Sequence, residues 1–219
     1  AASLGGELDY QQARFTHGDF TELDAGFEFY APQTTEDARG RRLLVGWMGV
    51  PGGEEMRQPT VAAGWIHQMT CLRELSVRDG KLYQNPVAEL ETLRGEEQHY
   101  QGSASQAPVL DAQRLELIVE SQGEITLDFA DTLLLRWQAN ELRLARRSLE
   151  TGEWQYRYWN GKADKLQILC DRSSVEIFIN EGEGVMSSRY FPAHPARLTL
   201  SGQAELQASY WSLRPCMVE

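Results

Sequence analysis

Apolar and polar residues alternate with a period of two along most of this chain. The alternation is clearest at 23–30 and 175–180, where every second side chain is apolar or aromatic. In a strand, successive side chains point to opposite faces, so this period is typical of half-buried β-structure. Runs at helical spacing are nearly absent. The pattern predicts an all-β fold.

The C-terminal half contains ten short alternating segments separated by turn residues such as Gly152 and Gly202. Strands spaced about 8–12 residues apart are typical of a β-sandwich. The predicted strands are 115–121, 124–129, 132–138, 141–147, 154–159, 165–170, 175–180, 185–191, 196–200 and 204–213.

The N-terminal part predicts one antiparallel meander of four or five strands, about the content of one propeller blade and its exit. Its predicted strands are 23–30, 41–48, 64–70, 72–77 and 81–84.

A single helix is predicted at 86–94, because Asn85 suits the N-cap, Pro86 suits the first helical position and Gly95 can end it. We therefore divide the chain into the last blade (1–85), a short helical linker (86–99) and a sandwich (100–219).

Composition excludes several classes of function. The 219 residues carry a net charge of -11, which disfavours nucleic acid as a partner. Three cysteines cannot close a disulfide framework, and the four scattered histidines do not predict a metal site. The cysteine usage fits a reducing compartment, so we predict a cytoplasmic protein. Because no apolar run approaches membrane-spanning length, no membrane partner is expected.

Two motifs carry a resemblance to a known family. The run DRSSVEIFIN at 171–180 and the run FYAPQ at 29–33 are similar to the C-terminal portion of glycoside hydrolase family 32, the invertase and sucrose-6-phosphate hydrolase family. The resemblance implies the last part of a five-bladed β-propeller followed by a C-terminal antiparallel β-sandwich. It also implies hydrolysis without a cofactor.

The resemblance implies a retaining mechanism, which needs two carboxyl groups about 5–5.5 Å apart. The family takes its nucleophile from an Asn-Asp-Pro-Asn-Gly motif, its acid from a Glu-Cys motif and a stabilising aspartate from an Arg-Asp-Pro motif. None of these motifs is present in the 219 residues. We therefore assign no catalytic residue, and we expect this chain alone to be inactive.

The resemblance does assign one wall of the sugar pocket to this chain. It implies that Tyr30 and Trp47 contact the substrate, with Asp24, Glu28 and Gln33 as weaker candidates. Aromatic rings suit the C–H faces of sugars, and polar side chains suit their hydroxyls. The alternative is that Tyr30 and Trp47 only pack within the blade.

The leading hypothesis is the C-terminal part of a retaining β-fructofuranosidase that hydrolyses sucrose, sucrose 6-phosphate or a related fructoside. A carbohydrate-binding module is the alternative, since 154–159 is rich in aromatic residues that could stack on sugars, although they alternate between both faces. A structural or oligomerisation module is also open, because an incomplete propeller has unpaired edges through which copies could associate.

Overall fold

The computed structural model describes residues 1–49, 52, 54–192 and 196–216. Within these residues the chain forms nineteen strands, arranged in four antiparallel sheets, and four short 3-10 helices. The predicted all-β class is therefore confirmed.

The described residues up to 86 contain two separate sheets. Strands β1 and β2 form an isolated hairpin, whereas the other five strands form one sheet in the order β3-β4-β6-β7, with β5 paired to β4. The strands are β1 (Ala2–Asp9), β2 (Arg14–Glu22), β3 (Tyr30–Glu36), β4 (Arg42–Met48), β5 (Gln68–Met69), β6 (Arg73–Arg78) and β7 (Lys81–Pro86).

The C-terminal strands form two six-stranded sheets, in the orders β17-β16-β15-β10-β19-β8 and β14-β13-β12-β11-β18-β9. The strands are β8 (Gln98–Ser103), β9 (Leu110–Asp111), β10 (Leu115–Ser121), β11 (Ile125–Phe129), β12 (Leu133–Gln138), β13 (Glu141–Arg147), β14 (Trp154–Asn160), β15 (Lys165–Asp171), β16 (Ser174–Ile179), β17 (Gly184–Arg189), β18 (Arg197–Ser201) and β19 (Glu205–Ser212).

The hydrophobic core lies between these two sheets. Alternate residues of each strand point inward, as Leu115, Leu117 and Val119 do on β10 and Leu133 and Leu135 do on β12. Each fully buried side chain of this kind stabilises the fold by roughly 1.5–3 kcal/mol relative to an exposed one. The period-two pattern of the sequence thus corresponds to the inward face of a sandwich.

All ten strands predicted in the C-terminal half are present, with ends that differ by at most two residues. Two of them, β10 and β13, have the predicted bounds. The prediction missed β1, β2, β8 and β9. The side chains of β2 are exposed along its whole length, and those of β8 are largely polar, so neither strand shows a hydrophobic period.

The strand predicted at 23–30 is wrong, because residues 23–29 are irregular and β3 begins only at Tyr30. This segment follows β17 instead: the backbone N–H of Ala25 donates to the carbonyl of Val185, and that of Phe27 donates to Ser187. The carboxylate of Asp24 accepts the N–H groups of Gly26 and Ser187, which replaces regular ladder bonds.

The helix predicted at 86–94 is also wrong in type and extent. The chain forms a 3-10 helix over Ala88–Leu93, and its N-cap residue Val87 makes no side-chain cap. Asn85 and Pro86 belong to β7, where Asn85 pairs with Glu74 of β6, and the 3-10 helix begins only at Ala88, so Asn85 lies too far before it to act as its N-cap.

The strand predicted at 64–70 is reduced to β5. A 3-10 helix over Pro59–Ala63 precedes it and ends at Gly64, whose φ of 85° is readily adopted only by glycine.

Nowhere in the described part of the chain is there a helix long and apolar enough to cross a membrane.

Candidate functional site

The predicted substrate-contacting aromatics meet at one end of the N-terminal sheet. Tyr30 begins β3 and Trp47 lies near the end of the antiparallel β4, so the two residues are cross-strand partners. Their ring centroids are 6.0 Å apart, with the planes inclined at 61°. Tyr30 is 52% exposed, whereas Trp47 is partly buried. The pair therefore presents an accessible aromatic surface.

A histidine that the sequence prediction missed extends this aromatic surface. The His67 ring lies edge-on to Trp47, with centroids 4.6 Å apart. Its Nε2 is 3.1 Å from Glu55 Oε2, a hydrogen bond in which the imidazole N–H donates. A side chain at Gly49 would collide with both rings, because its Cβ would lie 2.6 Å from His67 Nδ1 and 2.7 Å from Trp47 Cε2. No period or motif around His67 indicates this contact.

Gln33 lies on the same strand as Tyr30, beyond an irregularity in the β3–β4 register. It pairs with Val45, and its side chain is exposed. Its carboxamide is therefore open to solvent on the strand that carries Tyr30.

Asp24 occupies a different environment, because its carboxylate is fully buried. Oδ1 accepts the N–H groups of Gly26 (2.9 Å) and Ser187 (2.8 Å). Oδ2 accepts the Ser187 hydroxyl at 2.6 Å and Arg73 Nη2 at 3.1 Å. Both oxygens are thus bound by protein groups, and they hold the irregular segment against β17.

Arg73 is the centre of a buried polar cluster that joins the N-terminal sheet to the sandwich. Its Nη2 lies 2.8 Å from Glu176 Oε2 on β16, and its Nη1 donates to Gln84 Oε1 at 3.1 Å. Burial opposes the charged guanidinium, but the carboxylates of Glu176 and Asp24 outweigh it and raise the pKa of Arg73. We call Asp24, Arg73, Gln84, Glu176 and Ser187 the Arg73 network.

Glu28, the remaining predicted residue, is likewise buried. Its Oε2 accepts the backbone N–H of Arg189 at 2.8 Å, and its Oε1 pairs with Arg146 of β13. The side chain of Arg189 is itself buried, and this burial lowers the pKa of Arg189 to about 10.

The geometry of these groups supports binding rather than bond cleavage. The carboxylates of Asp24 and Glu176 both flank Arg73, and their side chains are 0% and 7% exposed. Ion-paired and closed to solvent, neither can act on a ligand as acid or nucleophile. Among the described residues, no group of three or more His, Cys, Asp or Glu side chains could hold a metal ion. Of the five residues predicted to contact the substrate, Tyr30 and Gln33 are exposed and Trp47 is partly accessible, so these three could contact a ligand.

Comparison with protein families matches two stretches of the chain. The model for the glycosyl hydrolases family 32 N-terminal domain matches residues 2–86, and the model for the glycosyl hydrolases family 32 C-terminal region matches residues 121–212.

Individual relatives agree with these matches. The sucrose-6-phosphate hydrolase of Salmonella typhimurium is 55% identical and that of Klebsiella pneumoniae 53% identical, each match covering 100% of this chain and 46% of the relative. The chain thus spans about half the length of these curated relatives. The solved structure of sucrose-6-phosphate hydrolase from Lactobacillus gasseri superposes with a TM-score of 0.83 at 23% identity, covering 96% of this chain and 46% of that one. This likeness shows the fold, part of a β-propeller followed by a β-sandwich.

Proposed function

This chain belongs to glycoside hydrolase family 32, and we propose that it is the C-terminal part of a retaining β-fructofuranosidase that hydrolyses sucrose or sucrose 6-phosphate. The carboxyl groups that break the glycosidic bond would come from the rest of the enzyme, because the three family motifs that carry them are missing from these 219 residues. The 219 residues would supply one wall of the fructoside pocket. We retain the division into last blade (1–85), linker (86–99) and sandwich (100–219), and a cytoplasmic location, as parts of this proposal.

The observation that carries the proposal is the pairing of Tyr30 with Trp47 at one end of the β3–β4 ladder. An exposed tyrosine ring next to a partly buried tryptophan offers the apolar surface on which a sugar ring stacks. Gln33 adds an exposed carboxamide that can bond a hydroxyl. For Asp24 and Glu28 we propose a positioning role, since their carboxylates bind protein groups.

A chimeric enzyme tests the proposal directly. In this chimera, the 219 residues replace the segment that they match in the Salmonella typhimurium sucrose-6-phosphate hydrolase. We expect the 219-residue chain to leave sucrose and sucrose 6-phosphate intact, and the chimera to release glucose 6-phosphate from sucrose 6-phosphate. Hydrolysis by the purified chain alone, or a folded but inactive chimera, would contradict the proposal.

The role of the aromatic pair is tested in the same chimera. Tyr30→Ala and Trp47→Ala should each lower kcat/KM by roughly 5- to 50-fold, the range that corresponds to about 1–2.3 kcal/mol of lost contact. Tyr10→Ala is a control, because Tyr10 is an exposed tyrosine (87% exposed) in the turn between β1 and β2. Equal rates for Tyr30→Ala, Trp47→Ala and Tyr10→Ala would mean that the pair only packs within the blade.

One observation favours the carbohydrate-binding alternative. Trp154, Tyr156 and Tyr158 are cross-strand partners of Arg147, Ala145 and Arg143, whereas Trp159 pairs with the buried Leu142 and lies on the inner face. The outer face of β14 therefore presents three aromatics in a row, and Tyr156 is 42% exposed. Titration with inulin-type oligosaccharides, compared between the unmodified chain and the Tyr156→Ala variant, decides whether this row binds glycans.

Self-association stays part of the proposal for the N-terminal region. The isolated β1–β2 hairpin exposes Leu8, Phe15 and Phe20, and Phe20 is 71% exposed. Light scattering coupled to size exclusion should show copies associating as the concentration rises, and less association for Phe20→Ser.

A further inference from the structure

A cavity of about 350 Å³ lies between the segment 54–58 and the sandwich. The 3-10 helix Glu55–Arg57 forms one side of it, and residues of β13, β14 and the end of β17 form the other. Two contacts fix the segment there: the Ser148 hydroxyl donates to Glu54, and Arg57 pairs with Glu150 at 3.4 Å. The volume falls at the lower end of the roughly 300–1,000 Å³ range of small-molecule sites.

One buried polar atom of this cavity lacks a partner. Gln58 lines the cavity and is only 9% exposed, yet its carboxamide Oε1 has no hydrogen bond within the described residues. A buried amide oxygen is normally satisfied by protein or ordered water, so Gln58 Oε1 is available to accept a hydrogen bond from a ligand that enters the cavity. A hydroxyl or amine group of a ligand would donate the hydrogen bond that Gln58 Oε1 lacks.

The charges that line the cavity are almost balanced. Four guanidinium groups (Arg146, Arg147, Arg157, Arg189) face three carboxylates (Glu28, Glu54, Glu55). A small anion would be attracted by the arginines but repelled by the glutamates, and a cation would be attracted by the glutamates but repelled by the arginines. A neutral ligand that both donates and accepts hydrogen bonds suits this lining best.

Several of these groups keep bonding capacity for such a ligand. Among the described residues, Arg157 donates only to the carbonyl of Tyr156, and its guanidinium rests on the Phe27 ring, 4.8 Å from its centroid. Within the part of the chain that the structure describes, Glu54 accepts a hydrogen bond from Ser148 through one carboxylate oxygen, and Glu55 accepts one from His67 in the same way. The second oxygen of each carboxylate is available to a ligand. Phe191 and Leu149 add apolar wall. Donors, acceptors and apolar surface around one small cavity are the requirements of a sugar ring.

We propose that this cavity binds a neutral sugar unit of hexose size, with Gln58 Oε1 accepting a ring hydroxyl and Arg157 donating to another. Tyr30, Trp47 and Gln33 do not line the cavity, so the proposal does not rest on the function proposed above. A sugar held between the segment and the sandwich would also bridge the two parts of the chain that meet there.

The test is binding of D-fructose, D-glucose and sucrose to the 219-residue chain by NMR titration, with inorganic phosphate as the charged comparison. A ligand of about twelve non-hydrogen atoms should bind with a dissociation constant on the order of millimolar. Gln58→Leu keeps the size of the side chain but removes the acceptor, and it should weaken binding roughly 2- to 13-fold. Arg157→Gln should weaken sugar binding by a similar factor. Because Arg157 is exposed and has no ion pair within the described residues, this variant should fold, and it tests the proposal even if Gln58→Leu does not fold.

Matched controls separate this cavity from the other surfaces. Arg136→Gln changes an exposed arginine on β12 that does not line the cavity, and it should leave binding unchanged. The double variant Tyr30→Ala/Trp47→Ala should also retain binding, even though it should slow hydrolysis in the chimera. The proposal is overturned if no sugar binds saturably up to about 100 mM, if phosphate binds and sugars do not, or if binding survives in both cavity variants.

Discussion

Replacing Arg73 with methionine should be among the most damaging single changes in this chain. The side chain is fully buried, and its guanidinium bonds to Asp24, Gln84, Glu176 and Ser187. Methionine fills a similar volume but carries no charge. The change would leave the carboxylates of Asp24 and Glu176 buried without their shared cation.

The expected magnitude follows from that burial. Removing one partner from a buried ion pair costs about 3–5 kcal/mol, because the remaining charge stays desolvated. Here one guanidinium serves two carboxylates, so we expect the upper half of that range for Arg73→Met. The surface pair Arg42–Glu36, with side chains 51% and 61% exposed, contributes at most about 1 kcal/mol, which makes Arg42→Met a matched control.

Urea unfolding followed by tryptophan fluorescence measures both variants. With a urea dependence of about 2–3 kcal/mol per molar, a loss of about 4 kcal/mol lowers the midpoint by roughly 1.3–2 M. Arg42→Met should shift it by less than about 0.5 M. Arg73→Lys keeps the charge but loses the fork of donors, so its midpoint should fall between those of Arg73→Met and the unmodified chain.

A shift for Arg73→Met no larger than that for Arg42→Met would refute this reasoning. It would mean that the buried carboxylates are neutral or hydrated when Arg73 is absent, and that the network does not join the N-terminal sheet to the sandwich. A double-mutant cycle between Arg73→Met and Asp24→Asn checks the point independently, since coupled sites should deviate from additivity by at least about 1 kcal/mol.

Two further predictions concern turns and thiols. Gly80→Ala should lower the free energy of unfolding by about 1–2 kcal/mol, because Gly80 has a φ of 76°, which alanine adopts only with strain. No atom lies within 4 Å of the added Cβ, so no steric clash adds to this cost. Gly182→Ala should lower the free energy of unfolding by at least about 2 kcal/mol more than Gly80→Ala, because the added Cβ would lie 2.2 Å from the carbonyl oxygen of Gln84 in β7. Thermal or urea unfolding measures both variants, and equal losses would contradict the close approach at Gly182. Of the three cysteines, only the exposed Cys216 should react quickly with a thiol reagent at pH 8. Desolvation raises the pKa of the partly buried Cys71, beside Glu176, and of the buried Cys170, which suppresses their reactive thiolates; fast labelling of all three in the folded chain would contradict this prediction.

The sandwich could be predicted closely from sequence because its strands combine a hydrophobic period with turn residues. Strand β13 alternates between half-buried and buried residues from Glu141 to Leu144, and β10 places Leu115, Leu117 and Val119 on its inner face, so the spacing of their apolar residues indicates both strands. The β1–β2 hairpin pairs with no other strand of the described chain, and every side chain of β2 is exposed, so the hydrophobic pattern contains no trace of it.

The site was only partly predictable for a related reason. Tyr30 and Trp47 come together through a local antiparallel ladder, which strand assignments already imply. The Arg73 network joins residues 24, 73 and 176, whose proximity depends on how the two parts of the chain dock. A weak signal did exist: Glu176 interrupts a strand in which every residue is buried, and a charge in such a position needs a buried partner.

The irregular segment before β3 has a consequence for the behaviour of the chain in solution. Strand β17 is the outermost strand of its sheet, and the backbone of Ala25 and Phe27 occupies carbonyls that it would otherwise offer to a neighbour. An uncovered edge next to a strand as apolar as β16 is a template for intermolecular strand addition. Proteolytic removal of residues 1–29 would therefore expose the edge of β17 and make it a site where strands of other copies add to form fibrils.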